Sequence, residues 1–476
     1  MFLAKLRSLL PLLLGPALFL MTLLLEPPSS ELSKNAWLIC GLAAWMATWW
    51  ITEAISIPAT ALIPLAVLPL LNIESIAAVA SPYADPLIFL FFGGFVLSIA
   101  MERWNLHKRI ALLTMSIVGS KPSQQIAGIM LVTGFLSMWM SNTATAVMML
   151  PIGLSIVAMQ NTDKNNDFAK AILLSIAYAA SIGGVATLIG TPPNALLVGY
   201  LQNVHNITIS FADWMILGVP LAAVMLMLAW IWLTRFQYKL DSRSQEISRH
   251  IYRQKLAELG PMQFAEKIVL AVFILAALCW TLSKPIKDLT GLPMNDTVTA
   301  ICIALLLFIL PAGKANGQRV LSWDDCEKLP WGILLLFGGG LTLASQIQKS
   351  GLADFIALQI SQLGTLDMLT MIILVTTLII FLTEITSNSA TAAAFLPLLG
   401  PVAVSMDMPV PLLVIPAAIA ASFAFMLPVA TPPNAIVFGS GHLKIMDMVK
   451  AGFTLNILGI ICITIACITL APYIYS

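Results

Sequence analysis

Charge is what this 476-residue sequence has least of: Asp, Glu, Lys and Arg make up 10% of it, against about 25% in ordinary soluble domains. With 59% hydrophobic residues, that shortage excludes a soluble globular protein and leaves an all-α polytopic membrane protein. Histidine is scarce as well. His107, His205, His250 and His442 all fall in or beside loops, and no catalytic arrangement can be assembled from them. The six cysteines, Cys40, Cys279, Cys302, Cys326, Cys462 and Cys467, lack metal-ligand spacing and lie mostly in apolar runs, where they read as buried, inert thiols. An intramembrane protease or lipid-modifying transferase, the reading from a different class, therefore lacks its reagents, and the chain is not read as an enzyme. A net charge of +1, with basic residues spread over many loops, does not suggest nucleic acid.

What the sequence does have is a duplication. Thr191-Pro192-Pro193-Asn194 returns as Thr431-Pro432-Pro433-Asn434, Ser141-Asn142-Thr143-Ala144-Thr145-Ala146 as Ser387-Asn388-Ser389-Ala390-Thr391-Ala392, and Phe92-Gly93-Gly94 as Phe337-Gly338-Gly339. The offsets are 240, 246 and 245 residues, so three unrelated tracts recur in one order at nearly one spacing. Two adjacent prolines remove two backbone donors and stop a helix. In a bilayer, broken backbone is tolerated only where it is buried in protein or lines a water-filled cavity. Paired interruptions at matching places in two halves point to a transporter's binding site near the midplane.

Met1 to Leu25 has a leucine run behind Lys5 and Arg7 but no small-residue cleavage site, and it reads as a first spanning helix. Further apolar stretches at 36–51, 54–71, 86–101, 171–200, 213–233, 266–283, 297–312, 331–347, 411–440 and 451–473 bring the expectation to about 11 spans. The arms flanking Ser141-Asn142-Thr143 (Gln125 to Met140, Ala144 to Met159) and Ser387-Asn388-Ser389 (Leu369 to Ile385, Ala390 to Met406) reach only about 24–26 Å, short of a hydrocarbon core of about 30 Å. They are expected to be two re-entrant hairpins with the polar tract at the tip.

With the N-terminus inside, 20 of the 24 Lys and Arg residues fall on the cytoplasmic side, and only Lys34, Lys284, Lys287 and Lys349 fall outside. The C-terminus is then outside, and the two hairpins open to opposite sides, an inverted-topology repeat. The chain divides as 1–120 and 264–365 (scaffold helices and arms), 121–212 and 366–446 (hairpin and broken helix), 213–263 (a span and a linker) and 447–476 (the last helix). Within Phe236 to Gln263, Leu240, Ile247, Ile251, Leu256 and Leu259 alternate with Arg243, Arg249, Arg253 and Lys255, as in an amphipathic helix on the cytoplasmic surface. Similar surface segments are expected at Arg103–Arg109 and Ser322–Lys328.

Each tip offers hydroxyls, an amide and carbonyls beside a broken helix. Carbonyls and hydroxyls suit a hard cation such as sodium; amide donors and helix N-termini suit an anion. Glu384, ahead of the second tip, is a candidate for a proton or cation, with a structural role as the alternative. For Glu53, after Trp49-Trp50, a structural interfacial role is expected.

The Ser-Asn tips and Thr-Pro-Pro-Asn breaks resemble the signatures of the divalent anion/sodium symporter family, which carries dicarboxylates, citrate or sulfate, and the resemblance covers nearly the whole chain. It implies an elevator-type transporter and a homodimer, with a scaffold part for dimer contact and a transport part that slides across the membrane. Carried over by position, one sodium site falls at Ser137, Ser141, Asn142 and Gly190. The other falls at Thr383, Thr386, Asn388 and Ala430, and substrate carboxylates at Asn142, Thr143, Asn388, Ser389, Thr431 and Pro432. Ser389 stands where the family typically has threonine. Because no Arg or Lys is among these residues, bound sodium would supply the charge a dianion needs. The expected function is sodium-coupled import of a C4-dicarboxylate across a bacterial inner membrane, with sulfate or citrate symport and sodium-independent dicarboxylate exchange as alternatives.

Overall fold

The computed structural model describes residues 2–159, 167–240, 249–291, 295–313, 317–361 and 366–475. Helices dominate because apolar runs in lipid must satisfy their own backbone. In the first half they are α1 (Phe2–Leu24), α2 (Lys34–Thr52), α3 (Ile57–Thr60), α4 (Ile63–Leu70), α5 (Ile76–Ala80), α6 (Pro86–Arg103), α7 (Leu106–Ile117), α8 (Pro122–Ser137), α9 (Asn142–Met159), α10 (Asp167–Gly184), α11 (Pro192–His205) and α12 (Phe211–Ile231). The rest are α13 (Arg249–Glu258), α14 (Phe264–Thr281), α15 (Ser283–Thr290), α16 (Asp296–Ile309), α17 (Trp331–Lys349), α18 (Leu352–Ser361), α19 (Met368–Thr383), α20 (Asn388–Ser405), α21 (Pro411–Ala420), α22 (Pro432–Phe438), α23 (Ile445–Thr469) and α24 (Pro472–Tyr475). Among the described residues, seven helical stretches are long and apolar enough to cross a membrane on their own, and shorter apolar helices fill the spaces between them. Their outward faces carry exposed leucines and isoleucines such as Leu278, Leu305, Leu374 and Ile461.

The duplication is visible in the order of elements. Hairpin α8–α9 precedes the broken pair α10 and α11, and hairpin α19–α20 precedes the broken pair α21 and α22. The halves are not side by side. Helix α11 packs on α20 and α21 of the second half, while α22 packs on α9 and α10 of the first. Close approach is set by glycine: a methyl on Gly183 would collide with the Gly134 carbonyl, which holds α10 against α8. The Phe-Gly-Gly repeats serve packing. Gly93 lies on the Ala300 backbone and Gly339 on that of Ala61, so α6 meets α16 and α17 meets α3.

Several expectations are corrected. The run 54–71 is two short helices, α3 and α4, because Pro58 and Pro64 each start a new one. The hairpin arms are 16 and 18 residues in both halves, and Met138–Met140 and Ile385 belong to the tips instead of the arms. Among the described residues of Phe236 to Gln263, Phe236 and Gln237 end a π-helical turn over Trp232–Gln237 and Arg249–Glu258 is an α-helix, while Arg243 and Ile247 lie outside the described residues, as do Lys164 and Lys314. That helix does not rest on an open surface: Tyr252 is buried and its hydroxyl donates to Gln125 Oε1 at 2.6 Å, fixing the linker to the base of the first hairpin. Arg103 and Arg109 are not free surface cations but pair with Asp325 and Glu266, and His107 between them is buried in α7. Ser322 caps a 3-10 turn over Trp323–Lys328. Of the cysteines, Cys326 and Cys467 are buried, Cys40, Cys279 and Cys462 are partly covered, and Cys302 is exposed.

Candidate functional site

Each hairpin tip is a four-residue turn between a helix that ends in a hydroxyl residue and a helix that starts with asparagine. Ser137 Oγ lies 2.7 Å from Asn142 Oδ1 and 2.7 Å from the Ala180 carbonyl oxygen. Thr383 Oγ1 lies 2.8 Å from Asn388 Oδ1 and 2.9 Å from the Ala421 carbonyl oxygen. In each cluster one hydroxyl hydrogen faces two acceptor oxygens, so lone pairs are in surplus at depth. A hard cation such as sodium fits that donor set, and the C-terminal ends of α8 and α19, which close at these clusters, add partial negative charge. Neither asparagine Nδ2 has a protein partner among the described residues, and both asparagines line the cavity.

The two breaks are tied down by their own asparagines. Asn194 Nδ2 donates to the carbonyls of Gly184, Val185 and Thr187 at 3.4, 3.3 and 2.8 Å, and Asn434 Nδ2 donates to those of Ala424 and Leu427 at 3.1 and 3.0 Å. Both are fully buried, so they face away from the cavity and satisfy carbonyls left without helical partners where α10 and α21 stop. Gly184 needs its bare Cα because a methyl there would fall on Asn142 Oδ1. Thr191 Oγ1 reaches Ser422 Oγ of the other half at 3.4 Å.

Tips and breaks enclose one cavity of about 600 Å³. Asn142, Thr143, Asn388, Ser389, Thr431 and Pro432, the residues expected to meet substrate, all line it. So do Ser141, Gly190, Thr386 and Ala430 of the expected cation sites, while Ser137 and Thr383 sit buried behind their asparagines. Three helices of 14 to 18 residues, α9, α11 and α20, start at Asn142, Pro192 and Asn388 on the cavity wall, and short α22 starts there at Pro432. Their partial positive ends favour an anion at the centre.

Sequence reading missed part of the wall. Phe95 and Ile333, from α6 and α17, face the tips, and so does Glu53. Glu53 closes α2 in a left-handed conformation (φ 48°) and is the only charged side chain on this wall among the described residues. It is therefore not merely interfacial. No periodicity marks it; Trp49-Trp50 drew attention to the membrane edge instead. Glu384, at the second tip, is turned away from the cavity. Its carboxylate accepts from the amides of Phe425 (2.8 Å), Met426 (2.9 Å) and Leu427 (3.0 Å) and from Asn456 Nδ2 (2.8 Å).

Two polar tips and two snapped helices around one nearly neutral cavity are the working parts of a membrane transporter. A family model described as the sodium:sulfate symporter transmembrane region matches residues 7–474. The chain belongs to that family. It is 44% identical over 472 residues to the sodium-dependent dicarboxylate transporter SdcS of Staphylococcus saprophyticus, covering 97% of this chain and 91% of that protein. The SdcS of Staphylococcus aureus strain USA300 is 42% identical over 479 residues, covering 98% and 92%. Among solved structures, the YdaH transporter of Alcanivorax borkumensis, reported to have an unusual topology, superposes with a TM-score of 0.59 at 14% identity, covering 84% of this chain and 88% of that one. That likeness concerns the fold alone.

Proposed function

We propose that this chain is a sodium-coupled importer of C4-dicarboxylates of the succinate, malate and fumarate type. The observation that carries the reading is the double duty of Asn142 and Asn388: each puts Oδ1 into a proton-poor oxygen cluster and leaves its NH2 group to the cavity. Sodium is bound at Ser137, Ser141, Asn142 and Gly190 and at Thr383, Thr386, Asn388 and Ala430. The substrate's two carboxylates lie against Asn142, Thr143, Asn388, Ser389, Thr431 and Pro432. A cavity wall whose one charge is the Glu53 carboxylate repels a dianion until cations fill both clusters, so coupling follows from electrostatics. The names of the staphylococcal relatives support both the sodium and the dicarboxylate.

The N-terminus is cytoplasmic and the C-terminus outside, following the distribution of Lys and Arg, so the hairpins enter from opposite faces. Residues 121–212 and 366–446 form the moving part, 1–120 and 264–365 the scaffold of a plasma-membrane homodimer, 213–263 the linking span and helix, and 447–476 the closing helix. Transport proceeds by an elevator displacement of the moving part.

Reconstituted protein is expected to accumulate labelled succinate under an inward sodium gradient and not under a potassium gradient. Equal uptake in both, or stronger competition by sulfate or citrate than by malate, would overturn the reading, and counterflow without sodium would identify an exchanger.

A further inference from the structure

The two tips are built to one plan but carry different chemistry. Between hydroxyl and asparagine the first reads Met138-Trp139-Met140-Ser141, the second Glu384-Ile385-Thr386-Ser387. Met138 therefore occupies the position of Glu384, and Met140 that of Thr386. The consequences are local and visible. In the second half Thr386 Oγ1 and Thr391 Oγ1 share a hydrogen bond of 2.6 Å. Thr145, the counterpart of Thr391, is buried with no hydrogen-bond partner for its hydroxyl among the described residues.

Glu384 is the larger difference. It follows Thr383 directly, so its charge lies within one residue of the second oxygen cluster. Its two oxygens accept four N–H groups, three of them successive amides of the broken segment. All four partners are N–H donors, so both carboxyl oxygens act as acceptors here. Glu384 also fixes the backbone that leads to the cavity: Leu427, whose amide Glu384 holds, accepts through its carbonyl from Ala430 N at 3.2 Å and from Asn434 Nδ2. In the first half no carboxylate takes this place; the Thr187 hydroxyl simply donates to the Met138 carbonyl.

We infer that the two cation sites are unequal, and that Glu384 is a positioning residue whose negative charge and grip on Phe425–Leu427 make the second-half site the tighter one, filled first. This rests on the sodium reading above. Sodium then meets a preformed, negatively biased site beside Asn388, and filling it favours the second ion and the dianion only afterwards.

The test is a sodium titration of the purified full-length protein without substrate, ionic strength held with potassium, reading the sodium-dependent rise in melting temperature. The wild type is expected to show a tighter and a weaker phase; no response to sodium at all would overturn the sodium reading itself. Thr383→Ala should remove the tighter phase and Ser137→Ala the weaker. Glu384→Gln, which keeps shape and loses charge, should raise the half-saturating sodium of the tighter phase about tenfold. Glu384→Asp, which keeps charge, should restore it to within about threefold of wild type. A merely structural glutamate would lower the melting temperature without sodium while leaving half-saturation in place. The inference is overturned if Glu384→Gln stays within about twofold of wild type, or if Ser137→Ala abolishes the tighter phase. Should Glu384→Gln fail to fold, Asn456→Leu decides: removing the amide that steadies the carboxylate must raise half-saturating sodium, and an unchanged value overturns the inference.

Discussion

The Oδ1 atom of Asn142 sits 2.7 Å from the hydroxyl of Ser137, five residues back across the first hairpin tip. That single contact decides which end of the asparagine amide points where, and with it the division of labour between cation and anion. Truncation to alanine removes both ends at once. Asn142→Ala, and equally Asn388→Ala, is expected to reduce sodium-driven succinate uptake in proteoliposomes by about 100-fold or more, since each loses a cation oxygen and a substrate donor. Retained uptake in either would separate the two roles.

Gly184 supports Asn142 from behind. In Gly184→Ala the new methyl would land on Asn142 Oδ1, while at Gly340 the nearest atom to an added methyl is Leu196 Cδ2 at 3.3 Å, the end of a flexible side chain. Gly184→Ala is expected to lower uptake about tenfold in protein that still folds, and Gly340→Ala to change it little. Transport measured beside a melting curve for each variant checks the pair.

Asn194 lies outside the cavity yet should matter to stability. Asn194→Leu strips the donor from three buried carbonyls, and the expected loss is about 1–3 kcal/mol, read as a lower melting temperature. Asn434→Leu, with two carbonyl partners, should behave alike. An undisturbed melting curve would show that water replaces the amide.

Orientation is open to direct labelling. In a background with Cys302 replaced, a cysteine at Lys287 is expected to react with a membrane-impermeant maleimide in intact cells, and one at Lys444 only after permeabilisation. The reverse pattern would invert the whole topology.

Much of this was readable from the sequence because the signals break a strong background. Two prolines or a Ser-Asn pair inside an apolar run stand out, and their recurrence at nearly one offset identifies the duplication. What the sequence hid depends on contacts distant along the chain. Glu384 meets amides 41 to 43 residues away, and Glu53 reaches the wall through a left-handed cap that no apolar pattern announces. The restart at Pro64 was submerged in one hydrophobic stretch, since hydropathy does not register where a helix begins again. The role of Asn194 and Asn434 as ties for orphaned carbonyls required the loop geometry itself.

The interlocking of α11 with α20 and α21, and of α22 with α9 and α10, also bears on how the protein is made. When the ribosome has delivered only the first 240 residues, α11 has no seat and α9 lacks its lid, so the early product must linger half-assembled until the later segment arrives. Quality control therefore has a defined window, and a chain truncated anywhere before Pro432 should be recognised and degraded, not tolerated as a slow carrier.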